Sequence, residues 1–284
     1  MAKGVRSTGI LLFASVIWGF AFVAQRAGME HIGPFAFNGI RFTLGCLVLV
    51  PVMLWRGDKA PLPVKGGLLL GCVLFVGASL QQIGLVYTTA GNAGFVTGMY
   101  MVLVPIFGIV ARRSTGLMSW LGAGVAFLGL FLLSVKNFRI SPGDLFVFGG
   151  AVFWAIHVLI VDRIVQKTDP VRLSLLQFSV CALLSLGFAA AFEDVAGANY
   201  KGAFIPLMYA SFLSVGVAYT LQLVGQKGAH PTHAAIVLSL EAVFALVGGW
   251  LILGEFMTPQ GLFGCALMLA GMLMSQFTQI RNSK

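Results

Sequence analysis

The chain has 284 residues, 58% of them hydrophobic and 10% charged, with a mean hydropathy of +0.95. Soluble domains are nearer half apolar and a quarter charged, so this is the composition of a membrane protein. A hydrocarbon core of about 30 Å takes roughly 20 apolar residues per helical crossing, which allows about ten spans and leaves no room for a soluble domain. The net charge of +9 would suggest nucleic acid in a soluble protein. Here the basic residues fall between apolar runs and act as topology signals, so no nucleic-acid partner is expected.

Cutting the chain at charge, Pro/Gly and polar clusters predicts ten helices. The first, Ser7–Ala27, is too long for the apolar part of a secretory signal and lacks a clean cleavage site, so it is read as an uncleaved span. Trp18, Phe22 and Gln25 form one stripe of it at i, i+4 and i+7. That stripe is either a wall for an amine or a flat ring, or packing and interface anchoring. The second span, Pro34–Trp55, carries Arg41 about seven residues, roughly 10 Å, from its external end. A buried guanidinium needs a partner, and a tie to backbone carbonyls is the expected one.

The third span, Lys65–Tyr87, holds Gln81 and Gln82, and the fourth, Asn92–Ala111, opens with Asn92, Thr97 and Tyr100. Amides and hydroxyls must find partners in hydrocarbon, though Asn92 is also a candidate cap. Gly67xxxGly71 and Gly94xxxGly98 read as close-packing motifs. The fifth span is Leu117–Val135. In the sixth, Asp144–Val161, His157 follows Trp154 by three residues on one face. Its imidazole is either a hydrogen-bonding or titrating group of a site, or an interhelical tie. The seventh is Val171–Phe192. The eighth, Ala203–Gly225, aligns Tyr219 and Gln222, with Gln226 one turn on. The ninth, Thr232–Leu253, holds Glu241 about nine residues, roughly 14 Å, from its start, too deep to snorkel to water. An acid there marks a pathway or is a protonated or locally paired structural carboxylate. The tenth is Pro259–Gln279. Cys46, Cys72, Cys181 and Cys265 lie singly in apolar runs, without the spacing of a metal site or a disulfide framework.

Basic residues concentrate in alternate connections. With the N-terminus inside, only Arg26, Lys136, Arg139 and Lys201 fall on the external side, and Arg41 lies within a span. The bias predicts both termini in the cytoplasm and an even number of spans.

The chain also repeats itself weakly. Ile10–Phe20 aligns with Leu145–Ile156, pairing Trp18 with Trp154, and at the same offset Pro34 meets Pro170. Later, Leu121–Gly129 resembles Phe263–Gly271. The reading is two halves, 1–137 and 138–284, of five spans each. Two odd-numbered copies in tandem insert with opposite orientation, the usual scaffold of secondary transporters. No phosphate-binding GxxxxGK[ST], HExxH, GxSxG or Asp-rich magnesium motif occurs, so no catalytic residue, metal or cofactor is assigned and an enzyme is disfavoured.

Three segments resemble EamA-type permeases of the drug/metabolite transporter superfamily: Ser15–Phe20, Tyr87–Pro105, and His230–Ala245 followed by Gly249–Glu255. The likeness runs through nearly the whole chain. It implies ten helices in two inverted halves around a central cavity lined by the first, third and fourth helix of each half, and carriage of small metabolites. Two positions depart from the family pattern. Ala242 stands where a Pro usually follows Ser-Leu-Glu, which bears on the bend of that helix, and Ala111-Arg-Arg113 replaces a Gly-Glu ending.

The combined expectation is an all-α polytopic protein of the bacterial inner membrane, with lipid bilayer and a small-molecule substrate as partners and a homodimer left open. Its function is expected to be alternating-access transport of amino acids or amines. The expected substrate-binding residues are Trp18, Phe22, Gln82, Tyr100, Trp154, His157, Tyr219, Gln222 and Glu241. The alternatives are export of aromatic or cationic drug-like compounds, an intramembrane enzyme without a recognised motif, or a non-transporting assembly partner.

Overall fold

The computed structural model describes residues 2–56, 61–110, 112, 115–134, 141–253 and 259–282, and among them every regular element is helical. In chain order these are α1 (Ala2–Gly28), α2 (Pro34–Arg56), α3 (Val64–Tyr87), α4 (Ala90–Val110), α5 (Leu117–Ser134), α6 (Pro142–Val165), α7 (Pro170–Phe192), α8 (Phe204–Gln226), α9 (Pro231–Ile252) and α10 (Pro259–Asn282). Among the described residues eight are long and apolar enough to cross a bilayer, and α5 and α10 contain the apolar stretches Leu117–Leu132 and Leu262–Ser275. Lys59, Arg113, Lys136, Arg139, the Gly254-Glu255 ending and the junction at 137/138 lie outside the described residues.

Local chemistry sets the helix ends. Pro142, Pro170 and Pro231 each occupy a first turn, where the missing N–H is not needed and the fixed φ suits the helix. Ser141 and Asp144 form a reciprocal capping box at α6. Asp169 accepts the Val171 and Arg172 amides at α7. The start of α2 is held from outside its own sequence, because the Glu193 carboxylate accepts the Phe35 and Ala36 amides at 2.7 and 2.8 Å. Asn92 is not a cap; Thr89 takes that place and accepts the Asn92 amide at 3.2 Å.

Three helices are irregular. α4 breaks at Met99, and Pro105 further on withholds an N–H from the preceding turn. α9 breaks at Ser239 and Leu240, although position 242 holds Ala and not the Pro that the resemblance implies. There the Ala242 and Val243 amides bond to the carbonyls three residues back, and the Ser239 hydroxyl donates to the Ile236 carbonyl at 2.8 Å. A tightened turn with a back-bonded serine interrupts the regular hydrogen-bond ladder without proline. In α8 the stretch Tyr209–Tyr219 is π-helical, a widened form frequent at functional sites.

The two halves meet through backbone-to-backbone contacts. A Cβ on Gly122 of α5 would lie 2.7 Å from the Gly271 carbonyl oxygen of α10, and a Cβ on Gly129 would lie 2.5 Å from the Gly264 oxygen. The start of one helix therefore faces the end of the other, and α5 and α10 run antiparallel. In the sequence repeat Gly122 corresponds to Gly264 and Gly129 to Gly271. Each contact is thus the counterpart of the other. Large apolar side chains such as Leu54, Ile109, Leu183 and Leu251 are exposed on the outer surface, as a lipid-facing surface requires.

Candidate functional site

The breaks in α4 and α9 fall at corresponding points of the two halves and open onto one cavity. Each break starts a new helical segment, with Tyr100 first in one and Glu241 first in the other. Both side chains line the cavity. An acid at a helix start is favourably placed with respect to the backbone dipole, and discontinuous helices are a recurrent way to present polar groups within a bilayer. Glu241 is only 4% exposed, with the Tyr100 hydroxyl as its polar neighbour.

Aromatic rings form the adjoining wall. Trp18 of α1 meets Tyr219 of α8 edge to face with centroids 4.7 Å apart, and Trp154 of α6 lies 6.0 Å from the same ring. The Trp18 indole donates to the Ser214 carbonyl at 3.2 Å, within the π-helical stretch. Phe22, one turn beyond Trp18, continues the wall. A chain of amides backs it. Trp154 Nε1 donates to Gln81 Oε1 at 2.9 Å, Gln81 Nε2 donates to Gln25 Oε1 at 3.2 Å, and Gln25 Nε2 donates to the Ala21 carbonyl at 3.2 Å. Thr97, Val158, Leu238 and Gln222 complete the lining with Arg41. In this conformation the cavity has a volume of about 40 Å³, room for a few water molecules, so a solute of metabolite size requires the walls to move apart.

Arg41 departs from the sequence expectation. It stands in the cavity wall, although α2 was expected outside the ring of lining helices. It is 1% exposed, and its Nε and Nη2 have no hydrogen-bond acceptor, so neither atom makes the expected tie to a carbonyl. Its guanidinium lies over the Phe42 ring, 4.9 Å from the centroid. The cause is close packing: a Cβ on Gly45, one turn along, would lie 2.3 Å from Val215 Cγ1 of α8, and the absence of a side chain there lets α2 approach the cavity.

Of the nine residues expected at the site, Trp18, Phe22, Tyr100, Trp154, Tyr219, Gln222 and Glu241 line this cavity, whereas Gln82 and His157 do not. Gln82 turns to the Gln25 backbone carbonyl at 3.4 Å, and its neighbour Gln81 takes the lining position. His157 bonds Gln177 Oε1 of α7 through Nε2 at 2.9 Å, which makes it an interhelical tie. Val158, four residues after Trp154, faces the cavity in its place. Gln226 donates to the Val158 carbonyl at 3.1 Å. The spacings i+3 and i+4 both follow one helix face, so sequence spacing could not choose between His157 and Val158. Ser214 and Leu238 carried no signal in the sequence, since one contributes a backbone carbonyl and the other is an ordinary apolar residue. The Gly67xxxGly71 pair packs against Leu176 and Val180 of α7, a helix contact apart from the site. Among the described residues no group of His, Cys, Asp or Glu could hold a metal ion.

The profile of the EamA-like transporter family matches residues 7–135 and again residues 141–277. An uncharacterized transporter of Archaeoglobus fulgidus is 32% identical over 278 residues, covering 96% of this chain and 87% of its own length. The uncharacterized transporter YoaV of Bacillus subtilis is 23% identical, covering 96% of this chain and 97% of its own length. The uncharacterized inner membrane transporter YedA of Escherichia coli K12 is 23% identical, covering 87% of this chain and 83% of its own length. A solved crystal structure with 19% sequence identity superimposes with a TM-score of 0.80, covering 99% of both chains, and shares the fold.

Proposed function

The chain belongs to the EamA-like transporter family, and from that premise we propose that it is a secondary carrier of small ammonium-bearing metabolites, amino acids or amines, bound beside Glu241. The observation that carries this reading is the position of Glu241, at the break in α9 and in the wall of a cavity built from both halves. A cation entering there meets a carboxylate, the rings of Trp18, Trp154 and Tyr219, and the amide of Gln222. Cation–π attraction and a charge-assisted bond act together on such a solute.

Alternating access follows from two halves, 1–137 and 138–284, related as inverted repeats and rocking about the central site. The reciprocal glycine contacts between α5 and α10 support that relationship. Charge bias supports both termini in the cytoplasm. A second reading, export of aromatic or cationic drug-like compounds, is favoured by the aromatic rings of the wall.

The test is flux of labelled amines and amino acids into proteoliposomes holding the purified chain, with the mass of each compound measured after transport. Carriage predicts accumulation at unchanged mass. A changed mass would replace carriage with chemistry, and equal flux in protein-free vesicles would remove the ammonium reading.

A further inference from the structure

Resting on the reading that Glu241 receives an ammonium group, the geometry points to Arg41 as the site of a carboxylate on the same solute, so that the carrier selects zwitterionic amino acids over the corresponding amines. Arg41 and Glu241 line one cavity, and among the described residues no ion pair joins them or gives Arg41 another acid. Tyr219 lines the same cavity. The cavity therefore carries a positive group and a negative group that are not paired with each other. A solute with a carboxylate as well as an ammonium can engage both.

The state of the Arg41 side chain strengthens the assignment. Its flat face is covered by Phe42, which satisfies the cation through the ring but leaves the in-plane N–H groups unused. The atoms without an acceptor are Nε and Nη2. These two lie on one edge of the guanidinium, the edge that receives both oxygens of a carboxylate in a bidentate pair. A buried guanidinium with an idle edge and no acid beside it is costly as a purely structural element. It becomes useful when the solute supplies the acceptor. Asn38, one turn before Arg41 on α2, is fully buried with its amide atoms also unpartnered, so the polar surface on this face of the helix is more extensive than Arg41 alone.

The experiment compares three amino acids with their decarboxylated amines, leucine with isoamylamine, phenylalanine with phenethylamine, and lysine with cadaverine, by calorimetric binding to the full chain in nanodiscs. The wild type should bind at least one amino acid about tenfold or more tightly than its amine, the scale of one charge-assisted hydrogen-bond pair. Methylation of that amino acid's carboxylate should abolish the advantage. Arg41→Gln should remove the preference for the amino acid over its amine without weakening the amine, since the lost charge only repels an ammonium, and Arg41→Lys should keep part of the preference. Equal wild-type affinity for every amino acid and its amine would overturn the inference while leaving the ammonium site intact, and this comparison needs no variant to fold. Binding of neither class would overturn the ammonium reading and this inference with it. Equal loss of amine and amino-acid binding in a folded Arg41→Gln protein would also overturn the assignment, making Arg41 a structural residue.

Discussion

The Trp18 and Tyr219 rings, 4.7 Å apart with their planes at 63°, join α1 of the first half to α8 of the second across the cavity. The Trp18 indole is fixed by its bond to the Ser214 carbonyl, so the ring is held in place from the same helix that carries Tyr219. Edge-to-face aromatic pairs contribute about 0.5–1.5 kcal/mol beyond burial, and the pair is oriented before any solute arrives.

Trp18→Phe keeps a ring but removes the indole N–H. It should destabilise the protein by about 1 kcal/mol, the net worth of a typical hydrogen bond, with a small loss of affinity for ammonium probes. Trp18→Ala removes the wall and should weaken such binding by about 2- to 30-fold, as a cation–π contribution of about 0.5–2 kcal/mol implies. Calorimetric titration measures both, and unchanged affinity in Trp18→Ala would take this ring out of the site.

Glu241→Gln preserves shape and hydrogen-bonding capacity but removes the charge. An ammonium bound beside Glu241 favours its carboxylate form, so any proton held by that group is released on binding, and affinity in the wild type should fall as pH is lowered. The variant should lose that pH dependence and bind cationic probes more weakly, by about tenfold or more. The measurement is probe affinity against pH for both proteins. Identical profiles and transport rates would make Glu241 a packing residue.

The α5–α10 seam offers a test of packing. Gly122→Ala would put a methyl group 2.7 Å from the Gly271 carbonyl oxygen and should cost about 1–3 kcal/mol, the usual range for overpacking. Gly124, two residues on in the same helix, has nothing within 4 Å of its added Cβ, so Gly124→Ala should be neutral or slightly stabilising through helix propensity. Thermal unfolding in detergent distinguishes them; equal midpoints would show that the seam does not need its glycines.

Orientation is tested by single cysteines at exposed positions, in a background with Cys46, Cys72, Cys181 and Cys265 replaced. Lys201→Cys should react with an impermeant thiol reagent applied to intact cells, and Lys227→Cys should react only after permeabilisation. The reverse pattern would invert the orientation.

The sequence by itself determined the class of molecule, the approximate positions of its helices and the duplication, because apolar length, basic punctuation and repeated spacing are properties of the chain read locally. It also singled out Trp18, Trp154, Tyr219 and Glu241, since large rings and an acid in a span are conspicuous without any contact known. It could not decide between neighbours on one face. Gln81 lines the cavity and Gln82 does not, and Val158 does while His157 ties α6 to α7, because helix rotation is set by packing against partners far away in the chain. Nor could it assign Arg41, whose entry into the wall depends on how closely α2 approaches α8 at Gly45 and Val215. The break in α9 likewise coincides with a serine back-bond and a tightened turn, with no proline at position 242. Those outcomes belong to the tertiary structure, because each depends on which surfaces are pressed together and how closely.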